Sequence, residues 1–237
     1  MNIDFARQQM LYHQVRAWAV LDSRVLDALG SVPREKFVPS GLASLAFADT
    51  EIPIGHGQAM MTPTVEGRVL QALGLYPTDT VLEIGTGSGF LTACLATLAG
   101  SVTSVDIFED FVTLTAERLE EYGIGNVQLA TLDATQALPA GEFDAIAITG
   151  SIQTFDPRYV MALKHGGRLF VVVGDAPVMD ARLVTRTGEH DWRTESLFET
   201  RLRPLVNGSL PAQFSFSGGA REPCPVLAWR LPLPMSA

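Results

Sequence analysis

Three glycines and two aspartates stand where this chain could hold a small polar ligand. The stretch VLEIGTGSGF, residues 81–90, places Gly85, Gly87 and Gly89 between an apolar run and what reads as the start of a helix. Glycines there allow a tight turn and a close approach of ligand to backbone, and a helix N-terminus offers free N–H groups. Asp106, 21 residues after Gly85, ends a second apolar run, and Asp133 in TLDAT follows a third. A carboxylate at the first of these positions can accept both hydroxyls of a ribose. One at the second could accept from an adenine amino group. Either aspartate alone reads better as a helix cap than as a ligand contact. Three consecutive strand ends carrying such groups read as a site, because ligands of open α/β sheets bind along the carboxyl edge.

The glycine spacing narrows the ligand. A dinucleotide fingerprint needs G-x-G-x-x-G, and position 90 is Phe, which disfavours a nicotinamide oxidoreductase. The spacing present, E-x-G-x-G-x-G from Glu83 to Gly89, is characteristic of proteins that bind S-adenosyl-L-methionine. Glu83 is expected to order the loop rather than to titrate in catalysis. A second stretch, GHGQAMMTP at 55–63, is a glycine-rich turn carrying His56 and Gln58 that runs into two methionines. Met60 and Met61 read either as packing beneath the next helix or as an apolar wall of an acceptor pocket. His56 reads as a turn residue and Gln58 as a residue that shapes the loop.

The elements that must position these groups follow from periodicity. The first 50 residues read as helices, among them RVLDALGSV with Ser23 as its cap, and are expected over the carboxyl edge. Thr62 and Pro63 open a helix with Val65, Val69 and Leu73 on one face. Strands are expected at 80–84, 101–105, 127–131, 143–149 and 168–174. Helices are expected at 90–100, 110–123 and 157–167, the last with a glycine stop. Buried apolar strands alternating with helices predict an α/β, doubly wound, mostly parallel sheet. ARLVTRT and WRTESLFET, separated by GEHD, leave no room for a crossover helix and predict an antiparallel hairpin that brings the sheet to seven strands. Three segments follow: 1–60 as a helical extension with a substrate-side loop, 61–206 as the cofactor-binding domain, and 207–237 as a tail. In that tail Phe214, Phe216, Trp229 and several prolines suggest docking onto the body or a partner.

Composition sets the outer bounds. Apolar residues make up 47% of 237, ample for a core, and 26 acidic against 17 basic residues give a formal charge of −9. With no cluster of Lys or Arg, a nucleic-acid partner is disfavoured. The opening MNIDFARQQM has no charged region followed by an apolar stretch, and no apolar run approaches the ~18 residues of a membrane span. A cytoplasmic protein is expected. Cys94 and Cys224 are single and distant, and the four histidines are scattered, so no metal site is expected.

At these residues the chain resembles the class I methyltransferases, and more closely the protein-L-isoaspartate O-methyltransferases. VPREKFVP, AFAD, IPIGHGQ, VLEIGTGSGF, FDAIAIT and LKHGGRLFVVVG match that family's pattern in order, and RLRPL fits its end. The resemblance covers roughly residues 10–205. It implies a Rossmann-like methyltransferase fold and S-adenosyl-L-methionine as donor. The activity implied is repair of proteins by methylation of the stray α-carboxylate of an isoaspartyl residue, so that the partner is a peptide or protein carboxylate. It also implies cofactor contacts at Gln58, Ala59, Glu83, Gly85, Thr86, Gly87, Gly89, Asp106, Ile107, Asp133 and Ala134. The family usually continues GQ with Thr-Ile-Ser, its serine lying beside cofactor and acceptor. Here Met61 stands at that position, and Thr62 is the nearest replacement hydroxyl. Two readings stay open: an O-methyltransferase of the isoaspartyl type with an altered acceptor, and a cofactor-binding protein that has lost catalysis and acts through a partner.

Overall fold

A computed structural model describes residues 2–208. The aromatic and proline-rich tail and Cys224 lie outside the described residues. In chain order the helices α1 (Ile3–Gln9), α2 (Ser23–Ser31) and α3 (Arg34–Phe37) come first, joined by short 3-10 and π turns. A two-stranded ribbon, β1 (Ile52–Gly55) and β2 (Gln58–Met60), leads into α4 (Pro63–Leu73). Then follow β3 (Thr80–Ile84), α5 (Phe90–Leu98), β4 (Ser101–Asp106), α6 (Glu109–Glu121) and β5 (Val127–Thr131). The chain continues through β6 (Phe143–Ile152), α7 (Arg158–Met161), β7 (Leu163–Asp175), β8 (Val178–Arg186) and β9 (Trp192–Glu199).

The main sheet has seven strands in the order β5-β4-β3-β6-β7-β8-β9. The first five run parallel, and β8 pairs antiparallel with both of its neighbours. This is the doubly wound sheet with a terminal hairpin that the periodicity predicts. Successive strand residues point to opposite faces. Val81, Val102, Ala145, Phe170 and Val172 join one core with α4 and α5, while Leu82, Val105, Ile146, Leu169 and Val171 join the other with Tyr159 and Val160 of α7.

Local signals decide most boundaries. The Thr62 hydroxyl accepts the Val65 N–H at 3.3 Å and Pro63 takes the first turn, so α4 starts where the sequence says it must. Val65, Val69 and Leu73 are buried, as their spacing requires. Two expectations are corrected. The cap of α2 is Asp22, whose carboxylate accepts the Arg24 N–H at 2.9 Å, and Ser23 is already inside the helix. The helix expected over 157–167 stops at Met161, because the Phe143 N–H reaches the Ala162 carbonyl at 2.9 Å and Leu163 pairs with Phe143. The sheet thus captures the chain before the glycines can end the helix. In the N-terminal segment, α2 packs on α4 and α5, and residues 10–15 pack on α4. The edge is covered by the β1–β2 ribbon.

One side chain ties these layers together. Arg34 is 0% exposed; its guanidinium pairs with Glu66 of α4, and donates to the Ala46 carbonyl and the Met61 carbonyl, each at 2.8 Å. It also lies over the Phe90 ring, 4.8 Å from the centroid. Burial pushes the Glu66 carboxyl up to about 7, against the pull of the Arg34 charge. Breaking a buried pair strands its partner. Arg34→Ala is therefore expected to lower unfolding stability by about 3–5 kcal/mol in urea titrations; an unchanged midpoint would show that the pair does not clamp the layers.

Candidate active site

At the carboxyl edge, the glycine loop between β3 and α5 faces the ends of β4 and β6 and the underside of the β1–β2 ribbon. Gly85 (φ 98°) and Gly89 (φ 82°) take the left-handed backbone that favours glycine. A Cβ on Gly85 would lie 2.2 Å from the Thr149 hydroxyl, and one on Gly89 would lie 2.6 Å from the Thr115 hydroxyl. These two glycines thus make room for protein side chains, so their absence of a Cβ is explained without a ligand.

Glu83 holds the loop from below. It is 0% exposed, and its Oε2 accepts from the Thr92 hydroxyl and, at 2.6 Å, from the Ser104 hydroxyl. The Thr86 hydroxyl in turn lies 2.6 Å from the Ser104 oxygen, which completes a chain from loop to strand. Burial drives the Glu83 carboxyl up to about 8, the hydroxyls of Ser104 and Thr92 opposing it and the nearby Asp106 charge adding to it. Its Oε1 has no hydrogen-bond partner, so an ionised carboxylate there would leave a buried charge unsolvated. Glu83 orders the loop and Thr86 anchors it, as expected for the first; neither lines the main cleft.

Asp106 does line it, but it is not a free strand-end carboxylate. It is 7% exposed; Oδ2 accepts the Gly87 N–H at 2.9 Å and Oδ1 the Phe108 N–H at 3.0 Å. Asp106 latches the glycine loop to β4. Burial raises its carboxyl above the usual value, against the N–H groups of Gly87, Phe108 and Ile107. A carboxylate has about four acceptor sites, so hydroxyl donors can still be taken. Asp133 sits farther along the edge. Burial raises its carboxyl, but hydrogen bonds from Thr135 and from Asn207, 2.9 Å away, outweigh this and leave it below its ordinary value.

The cleft also receives Gln58, Ala59 and Met61 from the ribbon, Gly85 and Gly87 from the loop, and Ile107 and Ala134 beside the two aspartates. Met60 and Met61 are both buried in the same core cluster, and Met61 also lines the cleft. Thr62 does not line the cleft, since its hydroxyl caps α4 and lies 2.8 Å from that of Thr64. Gly89 stays at the start of α5, outside the lining. His56, in the left-handed region at φ 51°, stacks on Phe108 with ring centroids 4.1 Å apart and meets Asp110 at 2.8 Å. It pins the ribbon tip to α6 as a turn residue.

Several lining residues carried no signal in the sequence. Thr149 lies in the last part of β6, and its hydroxyl donates to the Gly85 carbonyl at 2.7 Å. Glu51, Phe108, Leu202 and Arg203 join from segments far apart in the chain. The last two arrive because the chain folds back along β6: the Ser151 N–H reaches the Arg203 carbonyl and the Leu205 N–H the Ser151 carbonyl, each at 2.9 Å. RLRPL could have flagged them, but no periodicity marks them as cleft residues.

This donor set fits an adenosyl cofactor: two carboxylates spaced along a strand edge, a glycine backbone, and apolar walls at Ile107, Phe108 and Ala134. Comparison with known proteins agrees. The family model for protein-L-isoaspartate(D-aspartate) O-methyltransferase (PCMT) matches residues 6–210. The chain belongs to this family. A protein-L-isoaspartate O-methyltransferase 1 of Rhodopseudomonas palustris (strain HaA2) is 38% identical over 203 residues, covering 84% of this chain and 82% of its own. A protein-L-isoaspartate O-methyltransferase 2 of Pelobacter propionicus is 36% identical over 207 residues, covering 86% and 92%. In fold, the chain is similar to a Plasmodium falciparum structure named for the same activity and solved with S-adenosyl-L-homocysteine. The TM-score is 0.74 and the identity 20%, over 86% of this chain and 98% of that one.

This chain is thus an S-adenosyl-L-methionine-dependent O-methyltransferase of the isoaspartyl family. Among the described residues, no helix is long and apolar enough to cross a membrane, and no three His, Cys, Asp or Glu side chains gather as metal ligands.

The buried Glu83 makes a pH prediction. Its folded value of about 8 lies above the ordinary 4.5, so the folded protein keeps a proton that the unfolded chain releases. The stability this contributes is fully present below about pH 4.5 and is lost as pH rises through about 8. Relative to Glu83→Gln, the wild type should lose stability between pH 5 and 8 by an amount on the order of 1–3 kcal/mol. Denaturant titrations across that window check it, and parallel profiles would show that Glu83 ionises freely.

Proposed function

We propose that this methyltransferase acts in the cytoplasm on the α-carboxylate of isoaspartyl residues in proteins or peptides, through an acceptor wall altered at Met61. The observation that carries the reading is the meeting of Gly87, Asp106, Asp133 and Met61 in one cleft at the carboxyl edge. When bound, S-adenosyl-L-methionine supplies a methyl group on a sulfonium. Asp106 would accept from the ribose hydroxyls and Asp133 from the adenine amino group, with Ile107 and Ala134 against the ring. Gly85 and Gly87 would give the backbone face, and Gln58 and Ala59 would close the site from the ribbon. Nucleic acid is not expected as a partner, given the net charge of −9.

The chemistry asks little of acid–base groups. An α-carboxylate has a solution pKa near ~3.5, so it is ionised at neutral pH and needs no general base. What the protein must supply is alignment, exclusion of water and a hold on the acceptor. A thioether cannot donate a hydrogen bond, so Met61 cannot provide that hold. Thr62 cannot readily replace it, because its hydroxyl is committed to the cap of α4. The same two facts favour a second reading, a cofactor-binding protein without turnover that acts through a partner. A lost positioning donor costs on the order of 10²-fold in rate, which slows the reaction without abolishing it.

Two measurements test the proposal. Asp106→Ala should weaken S-adenosyl-L-homocysteine binding by ~1.5–3 kcal/mol, ten- to hundred-fold, and should also lower the melting temperature because the Gly87 latch is cut. Calorimetry showing unchanged affinity would remove Asp106 from the cofactor site. For the acceptor wall, the wild type should methylate isoaspartyl peptides slowly, and Ala59→Thr/Met60→Ile/Met61→Ser should raise that rate ten-fold or more, one donor to a carboxylate being worth roughly 1.5–3 kcal/mol. The Arg34 clamp grips the backbone at Met61 and should survive the change. Cofactor binding without turnover in either protein would select the second reading.

A further inference from the structure

An anionic acceptor has to enter a cleft that already carries carboxylates. Glu51, Asp106 and Asp133 line it, and among the described residues the one cationic side chain in the lining is Arg203. Asp106 and Asp133 already accept from backbone and side-chain donors of the protein. Arg203 is different. Its guanidinium stands 3.6 Å from the Glu51 carboxylate, too far for a hydrogen bond, and the two side chains are 57% and 37% exposed. Its backbone is fixed, since the Arg203 carbonyl and the Leu205 N–H bracket Ser151. A loosely held cation on a rigid anchor is suited to exchanging one carboxylate for another.

We propose that Arg203 binds the acceptor carboxylate, and that Glu51 is its resting counter-ion, displaced when the acceptor enters. The inference rests on the isoaspartyl reading above and supplies what Met61 lacks, a donor for the acceptor. A guanidinium presents five N–H groups in a fork that matches a carboxylate. Holding one oxygen leaves the other to attack the methyl carbon: a C–O bond forms, the C–S bond breaks, and its electron pair stays on sulfur. No proton moves. The product ester is neutral and the sulfonium has become a neutral thioether, so Arg203 loses its anionic partner at the moment of transfer. Glu51 then re-forms the pair, and the cation that recruited the acceptor ceases to retain the product.

The test uses the full chain, an isoaspartyl peptide and S-adenosyl-L-homocysteine. Arg203→Gln should raise the peptide KM about ten-fold or more, with a much smaller change in kcat and an unchanged Kd for S-adenosyl-L-homocysteine, which also reports a folded cofactor site. Arg203→Lys should recover part of the loss. Glu51→Gln should lower the peptide KM by removing the competitor. Added salt should raise KM in the wild type and have little effect on Arg203→Gln. An unchanged KM in Arg203→Gln, beside a wild type that turns over, overturns the role of Arg203 and leaves the isoaspartyl reading standing. A parallel loss of cofactor affinity overturns it too, by making the residue structural. A wild type that binds cofactor but turns over no isoaspartyl peptide overturns both.

Discussion

A fully buried guanidinium holds this molecule's active edge in place. Arg34 cannot shed its charge, and in the interior it is tolerable only with its donors satisfied. Its partners come from three segments: the carbonyl of Ala46, the carbonyl of Met61 and the carboxyl of Glu66. Meeting that demand fixes the N-terminal extension against α4 and sets the height of the β1–β2 ribbon above the sheet. The cleft is the space left between that ribbon and the glycine loop. Because Arg34 grips the backbone at Met61, the side chain there can change without moving the wall that carries it.

The floor of the cleft obeys a parallel constraint. Glu83 keeps its proton near neutrality, so the chain from Thr86 through Ser104 works as a neutral network rather than as a buried charge. Asp106 then latches the loop by accepting the Gly87 N–H. The result is a preorganised loop whose Thr86 hydroxyl and Gly87 N–H are paired before any ligand arrives. Rigid backbone below and a fixed ribbon above suit a reaction in which alignment matters more than proton transfer.

The electrostatic balance of the cleft is then set at its mouth. Among the described residues three carboxylates and one arginine line it, the arginine 3.6 Å from Glu51. In a chain of net charge −9, attraction of an anionic acceptor has to be local. The position of Arg203 in space follows from a short bridge to Ser151 of β6, not from any regular element.

How much of this was legible beforehand depends on the range of the forces involved. Strand and helix alternation, the Thr62 cap, the glycine loop and the two aspartates are local or periodic, and the residues themselves determined them. The same holds for the terminal hairpin, since GEHD leaves no chain for a crossover. The family motifs told the donor and the chemistry class by resemblance in order and spacing. Tertiary structure alone decided the rest: that Asp106 is buried and latched, that burial drives the Glu83 carboxyl upward, and that Met61, though buried in the core beside Met60, also lines the cleft. It also ended α7 at Met161, where pairing with β6 outcompeted a helical pattern, and it carried Arg203 back beside Glu51. Desolvation, strand capture and long-range pairing depend on which segments meet in space, and a linear sequence carries no measure of that distance.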